Sequence, residues 1–570
     1  MTEISLSSPL VPSAARWRRD GNLGCGLIVG VGFVLTVAPI WFLIEGSLQV
    51  SETDGSHSSL VAVLLEPRYW GALKNSLILG VAVATITTVL VGIVCWFVTR
   101  TDVPGRRFWT AVIPVPIAIG PIVGSMAWIG LFSPRGVGLV NNLANKLWGG
   151  DLLDVYTMAG LITVMVFVFA PFAFLFMYGG FTALASDHEE AARVHGASLM
   201  RIIGRISLPA TRSTLIGGWV MLFTMTIQNL SIYALVGSRS QIDTIPNAMY
   251  RLTQSAMGQN GEANVLALLI IVPSLIALGA HVIYTRRVGS QRVVGRQVGP
   301  SGIRLGRLRY PVFALLSLYV FVMVILPLGS LTLSSFLRFQ TSRLTWKLFT
   351  LDNYRQIFED PDIHRAFYVT LTLSLIVATG GTVISLILAY VASRRRGLLA
   401  ALAGAVPILM LAIPGFALGL GYLWASYANP EVRSFSGSII GMSIAVMLAY
   451  LGFGARVFAA SLNQFGVAYE EAGRIAGKST WVRLRRIITP MMLPSALAVW
   501  RLMVVLAIME FNITALLFTN QNIPVSVFMF LQLDTQPASS VYAMGVCQLV
   551  PIIFVFVLTV LPGRRLRRYR

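Results

Sequence analysis

Charge is scarce in this sequence, and acid is scarcest. Asp and Glu together number 23 in 570 residues, and all charged types make up only 12% of the chain. A water-soluble protein of this length needs far more charge to cover its surface, so a soluble globular class is excluded. Cysteine is limited to Cys25, Cys95 and Cys547, each inside an apolar run, which argues against disulfides and against a thiolate metal site. The five histidines (His57, His188, His195, His281 and His364) are scattered, and none forms a ligand pair at useful spacing. No nucleophile–base arrangement is visible either. Covalent chemistry, a bound metal and a cofactor are therefore not expected of this chain.

What is abundant is apolar sequence. Hydrophobic residues make up 56% of the chain, and the mean hydropathy is +0.74. Twelve continuous apolar runs lie near 23–44, 74–98, 109–132, 157–185, 212–237, 263–285, 311–335, 366–392, 398–426, 438–463, 493–519 and 540–562. Each is long enough to cross a hydrocarbon core of about 30 Å. The runs are continuous rather than alternating, which points to helices and not to a barrel. The expected fold class is an all-α polytopic membrane protein.

The formal charge of +21 has a membrane explanation. With the N-terminus inside, the Lys and Arg excess falls on the cytoplasmic side, which is the positive-inside pattern. No nucleic-acid partner is needed. The basic patches Arg394-Arg395-Arg396 and Arg564 to Arg570 directly follow spans and suit anionic lipid headgroups. Arg16, Arg18 and Arg19 precede the first run as they would in a signal peptide. That run is too long for one and no small-x-small site follows, so it is expected to be a retained span with both termini cytoplasmic.

One polar stretch occurs twice. Glu190 to Pro209 reads E-A-A-R-V-H-G, nine residues, then I-S-L-P; Glu471 to Pro490 reads E-A-G-R-I-A-G, nine residues, then I-I-T-P. Glu, Gly, Ile and Pro recur at a constant offset of 281. Earlier, Leu73 to Arg100 matches Phe367 to Arg394 at an offset of 294, and Pro121 pairs with Pro414 at 293. The loop Ser133 to Tyr156 accounts for the dozen or so residues that the first half carries in excess. Similarity on this scale means duplication and fusion. Six spans per half make the repeats parallel. The expected organisation is a first half at 1–285 (loop 187–209), a basic flexible linker at 286–309, and a second half at 310–570 (loop 468–490).

The loop itself reads as a helix–turn–helix knob. Ser186 and Asp187 suit a helix cap, with Glu189 and Glu190 favourable at the positive end of the dipole. Gly196 ends that helix or allows close approach. A second short helix from Leu199 to Ile206 is expected to stop before Pro209. Within the second copy, Ala472 to Ser479 nearly satisfies a phosphate-binding P-loop. A real one follows a strand, however, and the first copy has no Lys. ATP hydrolysis is expected in a separate polypeptide.

Both loops resemble the EAA loop of inner-membrane permeases of binding-protein-dependent ABC importers, of the type I importer fold, here in a fused two-half form. The first copy fits fully, while the second departs at Gly473 and Thr489. The resemblance implies that each loop docks on an ATPase subunit, two copies in all, and that a periplasmic or lipid-anchored solute-binding protein delivers the solute. It assigns coupling to Glu190, Ala191, Ala192, Gly196 and Pro209, and to Glu471, Ala472, Gly477 and Pro490. It implies a location in the bacterial cytoplasmic (inner) membrane. The fused length and the Y-E-E-A-G-R-I-A-G-K-S stretch resemble the ferric-iron permeases most, with thiamine, polyamine and aminoethylphosphonate permeases similar.

Ionisable and polar groups inside spans are functional hypotheses. Glu510 aligns with Asn229 at offset 281, so Gln228, Asn229 and Ser231 in one fifth span correspond to Glu510 and Asn512 in the other. Two readings stand: a polar lining of the solute pathway, which is the expectation taken, and hydrogen bonds between helices. Pro114, Pro116, Pro121, Pro407 and Pro414 mark bent third spans, as kinks or as gate hinges. Gly26/Gly30 and Gly415/Gly419 suggest close helix packing. A rival class is a secondary transporter driven by an ion gradient, disfavoured by the parallel repeats and the single mid-span carboxylate.

Overall fold

A computed structural model describes residues 14–48, 59–182, 187–237, 239–254, 260–288, 303–341, 345–428, 434–465, 468–478, 480–533 and 535–566. Among these, nine helices are long and apolar enough to cross a membrane, and three bent helix pairs raise the number to twelve. The molecule is an all-α polytopic membrane protein, and every expected run finds its helix. The reason is physical: in lipid each backbone N–H and C=O must be satisfied within its own segment.

The first half opens with α1 (Ala14–Ser47), then α2 (Pro67–Arg100) and a broken third span. That span comprises α3 (Arg106–Val112), a 3-10 turn (Val115–Ile119) and α4 (Pro121–Phe132), bent by 96° at Gly120. Pro114, Pro116 and Pro121 remove the donors that a continuous helix needs, and Gly120 takes the left-handed φ of 69° that turns the chain. Next come α5 (Leu139–Trp148), α6 (Met158–Thr182), α7 (Asp187–Val194), α8 (Leu208–Ile227) and α9 (Asn260–Val288).

The second half repeats the order. Its first span runs from Gly306 to Ser335. Then follow α10 (Pro361–Arg394), α11 (Leu398–Ala412), α12 (Gly415–Ala428), α13 (Ile439–Phe465), α14 (Ala468–Ile475), α15 (Thr489–Ile508) and α16 (Ala538–Leu566). Helices α2 and α10 match end to end: each is 34 residues long, begins at Pro and ends at Arg. The fifth span of this half ends at Ile508, short of the expected 519, because the helix breaks there and resumes only at Thr514–Leu517.

The repeat extends to individual contacts. Trp219 Nε1 donates to Thr85 Oγ1 at 3.0 Å, and Trp500 Nε1 donates to Thr379 Oγ1 at 3.3 Å. Ile245 N–H donates to Ser76 Oγ at 3.0 Å, and Val525 N–H donates to Thr370 Oγ1 at 2.8 Å. Fusion has thus preserved how the second span grips the fifth-span region in each half.

The chain forms two compact units that cut across the second half. One contains the residues up to Ala38, with Ala378–Leu411 and Met447–Met503. Inside it, Ser385 Oγ donates to the Leu451 carbonyl at 3.2 Å, and Ser385 and Met503 crowd Gly454. The other unit contains Pro39–Val377, Ala412–Val446 and Val504–Arg570. Its helices approach closely through small residues: a Cβ on Gly80 would lie 2.4 Å from Ile227 Cγ2, and one on Gly218 would lie 2.4 Å from Met177 Cε. Gly419 packs against the backbone of Ile513 as the GxxxG spacing suggests. Gly26 and Gly30 do not follow: a Cβ on either would meet nothing within 4 Å.

The extra loop of the first half is folded. Asn141 is fully buried and donates to the carbonyls of Phe132, Ser133 and Leu153, while its Oδ1 accepts from the Leu152 and Leu153 N–H groups. The linker is also partly docked rather than free. Ile303 N–H donates to the Arg100 carbonyl at 3.1 Å, and Leu305 N–H donates to Asp102 Oδ1 at 2.8 Å. Residues 289–302 lie outside the described residues.

Candidate functional site: paired loops and broken helices

The two repeated loops adopt the same backbone. Helix α7 ends in a left-handed glycine, Gly196 at φ 78°, and α14 ends in Gly477 at φ 69°. The Ala197 N–H returns to the Ala192 carbonyl at 3.0 Å, and the Lys478 N–H returns to the Gly473 carbonyl at 3.1 Å. This is the Schellman closure that satisfies the last helical carbonyls. A Cβ at either glycine would meet open space, so conformation and not crowding requires glycine here.

The segment after each glycine differs from expectation. The chain does not stop before Pro209. Leu199–Ile202 passes through a π-helical stretch (Ile203–Ser207) directly into α8, and Thr480–Arg483 passes through Leu484–Ile488 into α15. The wider π turn accommodates Pro209 and Pro490, whose rings would clash with a carbonyl four residues back in a regular α-helix. Each loop is thereby joined to its fifth span without a hinge at the proline.

The second copy's Gly473 also has a reason. A Cβ there would sit 2.9 Å from Ile487 Cδ1 and 3.1 Å from Arg483 Cγ. Arg483 stands where the first copy has Ile202, and its guanidinium donates to the Glu470 carbonyl at 3.3 Å. An alanine here, as at position 192, would press on Arg483 and on the end of the Ile487 side chain.

Of the coupling residues expected from sequence, Ala191, Gly196, Pro209, Glu471, Ala472, Gly477 and Pro490 are exposed and Ala192 is half-buried. Ser186 and the side chain of Glu190 lie outside the described residues. Sequence reasoning passed over two further positions. Val194 is 85% exposed and Ile475 is 87% exposed, at aligned places in the last turn of α7 and α14. An apolar side chain repeated at a solvent-facing position was the signal available in the sequence. The near-match to a P-loop begins at Ala472, inside helix α14, and not after a strand.

The polar residues of the fifth spans are brought together at the helix breaks. Helix α8 ends at Ile227, and the chain resumes as Leu230–Ile232 with a bend of 49°. Asn229 and Glu510 are each 5% exposed, and Ser231 is 2% exposed. The Asn229 side chain accepts from the Ile232 N–H at 2.9 Å. Glu510 Oε1 accepts from the Ile513 N–H at 2.8 Å. Asn512 Oδ1 accepts from the Leu230 N–H at 3.1 Å, linking the two breaks. Gln228 is half-buried, and its Oε1 has no hydrogen-bond partner among the described residues. The breaks lie beside the third spans: Gly120 faces Met509, and Gly415 faces Ile513 and Asn512.

Comparison with known proteins matches residues 58–290 and again 381–568 to the family described as binding-protein-dependent transport system inner membrane component. The probable ABC transporter permease protein y4fN of Sinorhizobium fredii is 23% identical over 517 residues, covering 88% of this chain and 89% of that protein. The sulfate transport system permease protein CysW of Escherichia coli K12 is 23% identical over 280 residues, covering 48% of this chain and 91% of that protein. The putative 2-aminoethylphosphonate transport system permease protein PhnU of Salmonella typhimurium is 21% identical over 249 residues, covering 43% and 85%. Among solved structures, a bacterial alginate ABC transporter in complex with its pentasaccharide-bound periplasmic protein matches 48% of this chain and 98% of its own, with 18% identity and a TM-score of 0.42.

Proposed function

This chain belongs to the family of binding-protein-dependent transport system inner membrane components, and from that premise we propose that its two repeated loops are the handles by which separate ATPase subunits work the pathway. It is a multi-pass permease subunit of an ABC importer, in which both halves of a permease are fused into one polypeptide. Each loop takes one ATPase subunit, so two copies serve one chain. A solute-binding protein delivers cargo to the opposite face. Six spans per half keep both loops and both termini on one side, and the Lys and Arg excess there supports the cytoplasm.

The observation that carries this reading is the pair Val194 and Ile475. Large apolar side chains left almost wholly exposed, at the same place in two polar loops, fit the apolar centre of a protein interface. Glu190 and Glu471 then face basic groups of the partner. Changing Val194 and Ile475 together to Asp places charges at that centre. Co-purification of the ATPase from detergent extracts should be lost while the chain still reaches the membrane. Intact co-purification would remove the handles from the account. Labelling of a cysteine at Glu471 by an impermeant reagent outside intact cells would reverse the orientation.

At the breaks, Gln228, Asn229, Ser231, Glu510 and Asn512 border the pathway. Asn229 and Glu510 spend one acceptor each on backbone N–H groups, and Gln228 is the group best placed to meet a passing solute. We propose ferric iron as the cargo, on the resemblance of the fused form and the Y-E-E-A-G-R-I-A-G-K-S stretch. A second reading, a small oxyanion, is favoured by relatives named for sulfate and 2-aminoethylphosphonate. Uptake of radioactive iron against radioactive sulfate, in proteoliposomes holding the chain with its ATPase and binding protein, separates the two. Uptake that needs no ATP and collapses with the ion gradient would instead mark a secondary transporter.

A further inference from the structure

We propose that Arg100 with Glu189, and Arg394 with Glu470, are paired positioning residues that tie each loop to the inner end of its second span, so that motion of the loop is delivered to that helix. The inference rests on the loops being the handles proposed above. Arg100 Nη1 lies 3.6 Å from Glu189 Oε2, with both side chains 5% exposed. Arg394 Nε lies 2.9 Å from Glu470 Oε1, with side chains 11% and 13% exposed.

Several facts make these one device built twice. The arginines are the last residues of α2 and α10 and align at offset 294; the glutamates lie in α7 and α14 and align at offset 281. Cation at a helix C-terminus and anion in a helix first turn are both favoured by the helix dipoles. The pair is the same in both halves, while its supporting contacts are not. Glu189 accepts from Ser207 Oγ at 2.6 Å, where the second copy has Ile488. Glu470 instead accepts from the Tyr390 hydroxyl at 3.3 Å, where the first copy has Trp96. Arg394 also donates to the Leu462 carbonyl at 3.0 Å. The surroundings have drifted and been rebuilt differently, yet the Arg–Glu pair persists. A buried ion pair is weak support for stability alone, but losing one partner is severe because a charge is left buried. Its retention in duplicate fits a directional tie between two helices better than general glue.

The geometry also separates this glutamate from its neighbour. Glu189 and Glu470 turn into the protein, whereas Glu471 is exposed toward whatever lies outside. In each E-E dipeptide the first residue holds the permease, and in the second loop Glu471 is left for the partner.

The test uses the chain with its ATPase subunits in nanodiscs. A bimane fluorophore on a Trp70→Cys substitution reports at the outer end of α2, where Trp70 is 48% exposed. The readout is the fluorescence change between nucleotide-free and vanadate-trapped states, normalised to trapped nucleotide. Glu189→Gln with Glu470→Gln should cut that change by about threefold or more, within the range by which positions along a coupling route act. Replacing Arg100 and Glu189 by cysteines should do the same in the first half, and a short bifunctional thiol cross-linker joining them should restore it. A role of the charges themselves would not be rescued by an uncharged tether, and normalisation to trapped nucleotide sets aside any loss of folded, ATPase-bound chain. A full fluorescence change in the Gln variant, or a loss that the cross-linker fails to restore, overturns the proposal. Failure of the unsubstituted chain to capture any ATPase subunit would instead end the handle reading beneath it.

Discussion

Asn229 and Glu510 stand 281 residues apart and do the same thing: each accepts a hydrogen bond from the backbone N–H three residues further on, at 2.9 Å from Ile232 and 2.8 Å from Ile513. In both fifth spans the chain leaves the helix and re-enters it, and the freed donors would otherwise be orphaned in an apolar layer. Asn229→Ala should lower stability by about 1 kcal/mol, as for loss of other caps. Glu510→Ala should lower it further, whereas Glu510→Gln keeps an acceptor and should stay near the parent. Thermal unfolding of the detergent-purified chain checks the order. If Glu510 also meets a cationic solute, Glu510→Gln should reduce transport with the Tm held.

Gly196 and Gly477 are required by backbone angle, since nothing lies where a Cβ would go. Substitution by Ala should cost about 1–2 kcal/mol at each site from left-handed strain alone. The end of α7 or α14 should then fray. Limited proteolysis should show faster cleavage after Arg193 in Gly196→Ala and little change elsewhere.

Burial of Val194 or Ile475 in an ATPase subunit would contribute roughly 1.5–3 kcal/mol each. Val194→Ala and Ile475→Ala remove much of that. Each should weaken ATPase binding by roughly tenfold, since about 1.4 kcal/mol corresponds to a factor of ten. Titration of labelled ATPase subunit onto the chain in nanodiscs measures it. The two losses should be similar, because the two positions are equivalent.

Gly120 and Met509 bring a third-span break against a fifth-span break, and a Cβ on Gly120 would sit 2.8 Å from Met509 Cγ. Gly120→Ala therefore carries two penalties, one for φ and one for the clash. Met509→Ala should relieve the second and leave the first. A double-mutant cycle in Tm should give a coupling of about 0.5–3 kcal/mol, as for residues in contact. Additive effects would mean that the two breaks do not press on one another.

Asn141 organises the loop between the third and fourth spans through five hydrogen bonds. Asn141→Ala leaves buried backbone groups unpaired, at about 1–3 kcal/mol for each that water cannot reach. Protease nicking between Ser133 and Tyr156 should rise sharply, while the spans on either side stay protected.

Much of the architecture was legible in the residues. Twelve apolar runs became helices or bent helix pairs because lipid leaves the backbone no alternative. The repeat was legible because duplication preserves spacing, and the offsets of 281 and 294 reappear in hydrogen bonds such as Trp219 to Thr85 and Trp500 to Thr379. The breaks at Gly120 and Pro414 followed from proline chemistry. The fate of Pro209 was not legible, because a π turn can carry a helix past a proline and no local residue announces one. Nor was the inward turn of Glu189 and Glu470, since neighbours in sequence carry no mark of which side chain turns inward.

Sequence alone determined membrane residence, helix count, the duplication and the place of the two loops. These depend on hydropathy, spacing and backbone chemistry, which are properties of short stretches. Tertiary structure alone decided which polar groups meet: Glu189 with Arg100, Glu470 with Arg394, Asn512 with Leu230. Those partners lie tens to hundreds of residues apart, and only the packing of helices brings them within hydrogen-bonding or ion-pairing reach.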